Sequence, residues 1–260
     1  MFKNVGCSEY TESKNADFAK FAELHVSICQ RVFERNTWAS PVYQYIDMTA
    51  GPGYNPKTGN ASSPVLMLSI LKRRKMKHRS HFIERDEKTF ASLRLEISER
   101  FPSANLYHGE SRDLTPRIVA ALPRASYGML YCDPNPDLEG MEGFETIAEI
   151  CRSDKMNTID VMCYVSATSI KRIRKVREYP TLREMLKNMK KDRWIVRRKI
   201  EGDPQQWTLC FGTNYEKIGA WEKRGFHCID SKRGKAILQE LDRTKDELEL
   251  ENQERQLSLF

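Results

Sequence analysis

The sequence predicts an α/β protein: a Rossmann-like, seven-stranded, mostly parallel sheet that closes in a C-terminal antiparallel hairpin. Three observations predict it. Five short apolar runs alternate with stretches of helical spacing. Two further strand-like runs, joined by turn residues, follow residue 192. The chain has 260 residues and 40% hydrophobic content, enough to bury one full-sized core.

The elements follow in order. Residues 16–36 space Phe18, Phe21, Leu24, Val26, Ile28, Val32 and Phe33 as an amphipathic helix. Apolar runs then stand at 42–48, 80–84, 104–107, 127–132 and 159–165. Helical stretches separate or follow them at 62–76, 87–100, 115–122, 141–153 and 181–191. Such alternation places helices on both faces of a parallel sheet. "RWIVRRKI" and "QWTLCFGT" flank "EGDPQ", a turn signal, and should pair antiparallel. This reading divides the chain into an N-terminal helical segment (1–36), a Rossmann-like domain (37–234) and a charged tail (235–260).

Composition narrows the classes. No apolar run is long enough to span a membrane, and the N-terminus lacks an apolar signal-peptide core, so a cytoplasmic protein is expected. The seven cysteines are scattered without CxxC pairs or zinc spacing, so neither a metal site nor a disulfide framework is expected. The net charge of +7 is uneven. Between Lys171 and Lys199 thirteen Lys/Arg stand against three Asp/Glu; from Leu238 onward seven acids stand against three bases. A basic middle draws polyanions, of which nucleic acid is the commonest in the cytosol.

Five β/α units followed by an antiparallel hairpin resemble the class I methyltransferases, which use S-adenosylmethionine. The stretch "YIDMTAGPGYNP" (45–56) runs from a strand into a glycine turn. A ligand can lie against the ends of parallel strands only where the backbone is narrow, and Gly51 and Gly53 remove side chains there. The resemblance implies that Asp47, Ala50, Gly51 and Gly53 contact the cofactor, with Asp47 holding its amino group. Glu84 closes the strand "HFIE", where a carboxylate accepts two ribose hydroxyls, and Asp86 is its backup. Glu110 and Ser111 follow the third strand, where the adenine ring is implied. Within this superfamily the front of the chain, roughly residues 20–165, is similar to the three-Cys-motif partner proteins. It shares their "AGPG" turn (50–53), the Ser63-Pro64 pair, the "FIE.D" strand and the Asp133-Pro134 strand end.

The fourth apolar run ends in "YCDPNP". Methyltransferases of exocyclic amines place an acid or amide here, then two prolines and an aromatic ring. The acid and the next carbonyl accept both amine hydrogens and turn the nitrogen lone pair toward the methyl group; the ring stacks on a flipped-out base. Asp133 and Pro134 keep the hydrogen-bonding half. Asn135 and Pro136 replace the second proline and the ring, for which Phe144, Tyr54 or Tyr164 are candidates. The plainer reading of Asp133 is a cap on the next turn. Cys132 precedes the acid and reads as core packing, which argues against a thiolate attacking carbon 5 of cytosine.

Lys171, Arg172, Arg174, Lys175 and Arg177 follow the fifth strand and are candidate phosphate contacts. The last five residues, "QLSLF", resemble the peptide by which bacterial proteins dock on the DNA polymerase sliding clamp. Gln256 would anchor it, and Leu257, Leu259 and Phe260 would form its apolar plug. The expectation is an S-adenosylmethionine-dependent DNA methyltransferase of an exocyclic amine, adenine favoured. The alternatives are an RNA methyltransferase, or a DNA-binding partner protein that keeps the fold without the catalysis. The oligomeric state is not legible.

Overall fold

A computed structural model describes residues 11–36, 41–133, 139–168, 170, 180–198, 206–242, 247, 250, 253 and 254; the side chains of 139–142 are not described. The chain divides into two compact units, Met1–Asp133 with Glu149–Val161, and Pro134–Ala148 with Met162–Phe260. Its strands form one mixed sheet of order β3-β2-β1-β4-β5-β7-β6-β8. No helix among the described residues is long and apolar enough to cross a membrane.

The first unit opens with α1 (Thr11–Arg35). Its buried stripe is Phe18, Phe21, Ala22, His25, Val26 and Cys29, one face of a 3.6-residue period. Leu24 and Ile28, counted above with that stripe, are only half-buried, and His25 takes the inside position. Buried polar partners explain this. His25 Nδ1 lies 2.7 Å from the Tyr43 hydroxyl, and Nε2 lies 3.0 Å from Asp160 Oδ2. Strand β1 (Tyr43–Asp47) is fully buried. It pairs in parallel with β2 (His78–Glu84) and β4 (Gly128–Cys132), and β2 pairs in parallel with β3 (Ala104–His108). β1 and β4 are buried at every position and read as short, mostly apolar runs, whereas β2 is buried only in part and β3 at no position.

Three helices connect them: α2 (Ser63–Arg73), α3 (Glu87–Ser98) and α4 (Ser111–Ala121). Pro64 sits in the first turn of α2, where a missing N–H costs nothing. Asp86 caps α3 by accepting from Thr89 N at 2.8 Å. Gly128 is required by contact rather than conformation, since an added Cβ would stand 1.8 Å from the Gln44 carbonyl oxygen on β1.

Helix α5 (Glu139–Ile150) begins in the second unit and ends in the first, to which the 3-10 turn Asp154–Thr158 also belongs. Strand β5 (Ile159–Ser166) carries the boundary between the units. Helix α6 (Leu182–Asn188) begins with a reciprocal Thr181–Glu184 capping box. The expected hairpin is present as β6 (Arg193–Arg197) and β7 (Trp207–Thr213), antiparallel, with Trp194 opposite Gly212. The strand count differs from expectation: eight among the described residues, not seven. The additional strand, β8 (Phe226–Cys228), follows the one-turn helix α7 (Gly219–Glu222) and pairs antiparallel with β6. Three residues are too few to show a period-two pattern, so β8 left no signal in the sequence. Helix α8 (Lys232–Asp242) buries Ile237, Leu238 and Leu241, and its Asp242 carboxylate accepts from Leu182 N at 3.1 Å.

Candidate active site

The first unit gathers most of the sequence-predicted residues at the carboxyl ends of its parallel strands, the place where open α/β sheets bind ligands. Strand register decides which of them reach the surface. Asp47 is level with Phe82 on β2 and Tyr131 on β4. Glu84 and Asp133 each lie two residues further along, so the residue at their level is Thr49. The hydrogen bonds agree: Asp133 N donates to Thr49 Oγ1 at 2.8 Å, and Ala50 N to the Ile83 carbonyl at 2.9 Å.

Asp47 therefore sits one layer below the surface, with no solvent exposure. Its carboxylate accepts from Thr49 N at 3.1 Å, the Tyr45 hydroxyl at 3.1 Å and Ser63 Oγ at 2.8 Å. Burial lifts it to about 7; the three hydrogen bonds work against that lift and the Asp133 charge adds to it. Asp47 joins strand, turn and helix start in one network.

The glycine turn follows. Gly51 and Gly53 have φ of +67° and +87°, a region that favours glycine. A Cβ on Gly51 would meet nothing within 4 Å, so its backbone faces open space. Glu84 holds the turn from the next strand: Oε2 accepts from Gly51 N and Oε1 from Asp86 N, each at 2.9 Å. A carboxylate offers about four acceptor positions, so two remain. Asp86 is committed to capping α3. Gly109 N donates to the Glu84 carbonyl at 3.1 Å, which brings the start of α4 beside Glu84. Glu110 is the N-cap of α4 without making a side-chain cap bond, and Ser111 begins the helix.

Asp133 ends β4 with its side chain 23% exposed, in contact with the Lys14 ammonium at 2.5 Å. Cys132 beside it is fully buried; burial and the Asp133 and Asp47 charges hold its thiol well above the usual range. It is therefore no nucleophile at neutral pH. The three candidate rings have other engagements. Tyr54 contacts Arg100 through its hydroxyl and its ring face, Tyr164 packs on Trp207 with centroids 5.7 Å apart, and Phe144 is buried.

Three features escaped the sequence. Lys14 pairs with Asp133 across 119 positions, a separation no local pattern reports. Ser62, the N-cap of α2, makes no cap bond, and its buried Oγ has no partner although it lies beside the glycine turn. Phe90 and His108 stack with centroids 5.1 Å apart at the ends of α3 and β3 nearest Glu84. Only Ser62 had a signal, its place just before the Ser63-Pro64 pair.

Residues 72–79, "KRRKMKHR", form a basic cluster that is partly neutralised, since Arg73 and Arg74 both bond Glu23 on α1. Pro134 and Asn135, Lys171, Arg172, Arg174, Lys175 and Arg177, and Gln256, Leu257, Leu259 and Phe260 lie outside the described residues.

No protein-family model matches the chain, and no curated protein matches it. Solved structures do. A crystal structure of WbdD superposes with a TM-score of 0.52 at 12% identity, covering 77% of this chain and 40% of that one. A second WbdD structure, described as a bifunctional kinase-methyltransferase, gives 0.50 at 10% identity with the same coverage. The METTL16 methyltransferase domain gives 0.48 at 11% identity, covering 76% of this chain and 67% of that one. The chain thus spans about two-fifths of the length of WbdD. At this identity the WbdD likeness is one of fold, and it agrees with the strand order and the antiparallel C-terminal strands.

S-adenosylmethionine is the cofactor expected from the sequence. The carboxylates of Glu84 and Asp133, at the ends of β2 and β4 on either side of β1, suit a ligand carrying a sulfonium and an ammonium. The open face of Gly51 admits a close approach. The partnerless Ser62 hydroxyl, at a helix N-terminus, suits a carboxylate. These residues fit S-adenosylmethionine.

Proposed function

We propose that the protein is an S-adenosylmethionine-dependent methyltransferase acting on an exocyclic amine of DNA, adenine favoured. The observation that carries the reading is Asp133, a part-exposed carboxylate at the end of β4. Its backbone is fixed to Thr49, and it stands at the level of Glu84 beside an open glycine turn. When bound, the cofactor supplies an electrophilic methyl group. Gly51 and Gly53 let it approach the backbone, and Ala50 supports the turn. Glu84 bonds the ribose hydroxyls with its two remaining acceptor positions. Glu110 and Ser111 flank the adenine, and Ser62 donates to the methionine carboxylate. Asp47 acts from below by fixing Thr49 and Ser63.

On the acceptor side, Asp133 and the carbonyl of Pro134 would accept the amine hydrogens, with Asn135 in the place of the motif's second proline. The nitrogen lone pair then points toward the cofactor, and orientation of this kind is the main contribution a carboxylate makes to such a transfer. The target base must leave the helical stack to reach it. Lys171, Arg172, Arg174, Lys175 and Arg177 supply phosphate contacts that carry no sequence information. The terminal Gln256, Leu257, Leu259 and Phe260 dock on a bacterial sliding clamp, which would deliver the enzyme to DNA.

The test is transfer from methyl-labelled S-adenosylmethionine to duplex DNA, single-stranded DNA and RNA, with Asp133→Ala alongside. Label in DNA that disappears in the variant, and that runs as a methylated adenine after digestion, supports the reading. Label confined to RNA moves the substrate, and label that survives in Asp133→Ala removes the carboxylate from the chemistry.

A further inference from the structure

The first turns of α1 meet the end of β4. Lys14 Nζ donates to Asp133 Oδ2 at 2.5 Å, with side chains 13% and 23% exposed. The helix that presents it is well anchored. Asn15 Nδ2 donates to the Ala61 carbonyl at 3.1 Å, Asn60 Nδ2 donates to Glu12 at 2.8 Å, and Phe18 packs on Tyr131 with centroids 4.6 Å apart. Phe18 and Tyr131 are both buried. Lys14 is thus built onto the same loop and strand that form the site, and only its own side-chain torsions are free to move it.

A lysine ammonium is a close side-chain likeness of an acceptor amine: nitrogen with its N–H directed at a carboxylate oxygen. It is also the stronger donor, because charge-assisted hydrogen bonds outweigh neutral ones. We propose that Lys14 is a positioning residue that holds the Asp133 carboxylate and must yield it to the acceptor amine, with which it competes. The proposal rests on the amine-methyltransferase reading above. A neutral amine alone does not win this exchange. A base delivered by a bound polyanion does, because binding energy from the rest of the substrate is available to separate the pair. Lys14 therefore selects for amines presented on a large substrate. The closed pair also lowers apparent affinity by the fraction of molecules in which the carboxylate is open.

Two measurements on the full chain test this. In steady-state methylation of DNA, Lys14→Met should raise kcat/KM about fivefold or more through a lower KM, whereas Lys14→Arg, which keeps the charge, stays near wild type. Acetylation of Lys14 by an N-hydroxysuccinimide ester, read by peptide mass spectrometry without substrate, should be several-fold faster in Asp133→Asn. If wild type methylates DNA but Lys14→Met leaves kcat/KM unchanged or lower, this inference is overturned and the proposed function stands. Equal acetylation rates in wild type and Asp133→Asn overturn it as well, since the pair then does not form in solution. If neither wild type nor Lys14→Met transfers a methyl group, the proposed function falls and takes the inference with it.

Discussion

His25 offers a prediction that is independent of function. Its ring is 1% exposed and lies between the Tyr43 hydroxyl and the Asp160 carboxylate, fastening α1 to the first unit. Burial disfavours the charged ring; the nearby Cys29 sulfur and the Asp160 carboxylate favour it, and the balance lifts the imidazole from 6.5 to about 10. The gap of roughly three and a half pH units, at about 1.4 kcal/mol each, bounds the contribution near ~5 kcal/mol. Breaking a buried ion pair by removing one partner costs ~3–5 kcal/mol, which agrees.

The sign is fixed by linkage. The folded-state value lies above the unfolded one, so unfolding releases a proton between them. The stabilisation is full below the unfolded value of 6.5, declines by about 1.4 kcal/mol per pH unit above it, and is gone past about 10. Urea unfolding of wild type and His25→Leu at about pH 6 and about pH 9 isolates the term. The difference between the two proteins should be ~3–5 kcal/mol at the lower pH and should shrink by ~3 kcal/mol at the higher. A difference that is equal at both pH values would refute a charged His25.

Other predictions follow from contacts in each unit. Gly128→Ala places a Cβ 1.8 Å from the Gln44 carbonyl oxygen, and overpacking of this kind should cost about 3 kcal/mol or more. Thermal unfolding should show it as a fall in Tm of about 6–12 °C. Gly212→Ala in the second unit drives a Cβ to 2.6 Å from the Trp194 ring and should also lower Tm, by less, because a side chain can shift where a paired backbone cannot. Glu23→Gln releases Arg73 and Arg74; polyanion affinity should rise and its dependence on the logarithm of salt should steepen by about one. An unchanged salt slope would show that the 72–79 cluster takes no part in binding.

What the sequence revealed depended on the range of each interaction. The buried strands β1 and β4 were legible as short, mostly apolar runs, and such runs also put Glu84 and Asp133 at strand ends. The depth of Asp47 was not legible. It looks like a strand-end acid, but the alignment of β1 with β2 and β4 sets it two residues short of the end, and only pairing with distant strands fixes that. His25 failed for a related reason. A histidine on a helix reads as solvent-facing until its partners, 18 and 135 positions away, are known. The pairs Asp47–Ser63, Gly51–Glu84 and Lys14–Asp133 are likewise long-range.

Calorimetric titration of S-adenosylmethionine into the full chain shows whether the strand ends of the first unit hold that molecule, as proposed. Wild type should bind it. Glu84→Gln, which removes one of the two oxygens that accept from Gly51 N and Asp86 N, should bind at least about tenfold more weakly, the loss expected for a charged hydrogen bond. No binding to wild type, or equal binding to both proteins, would contradict the account.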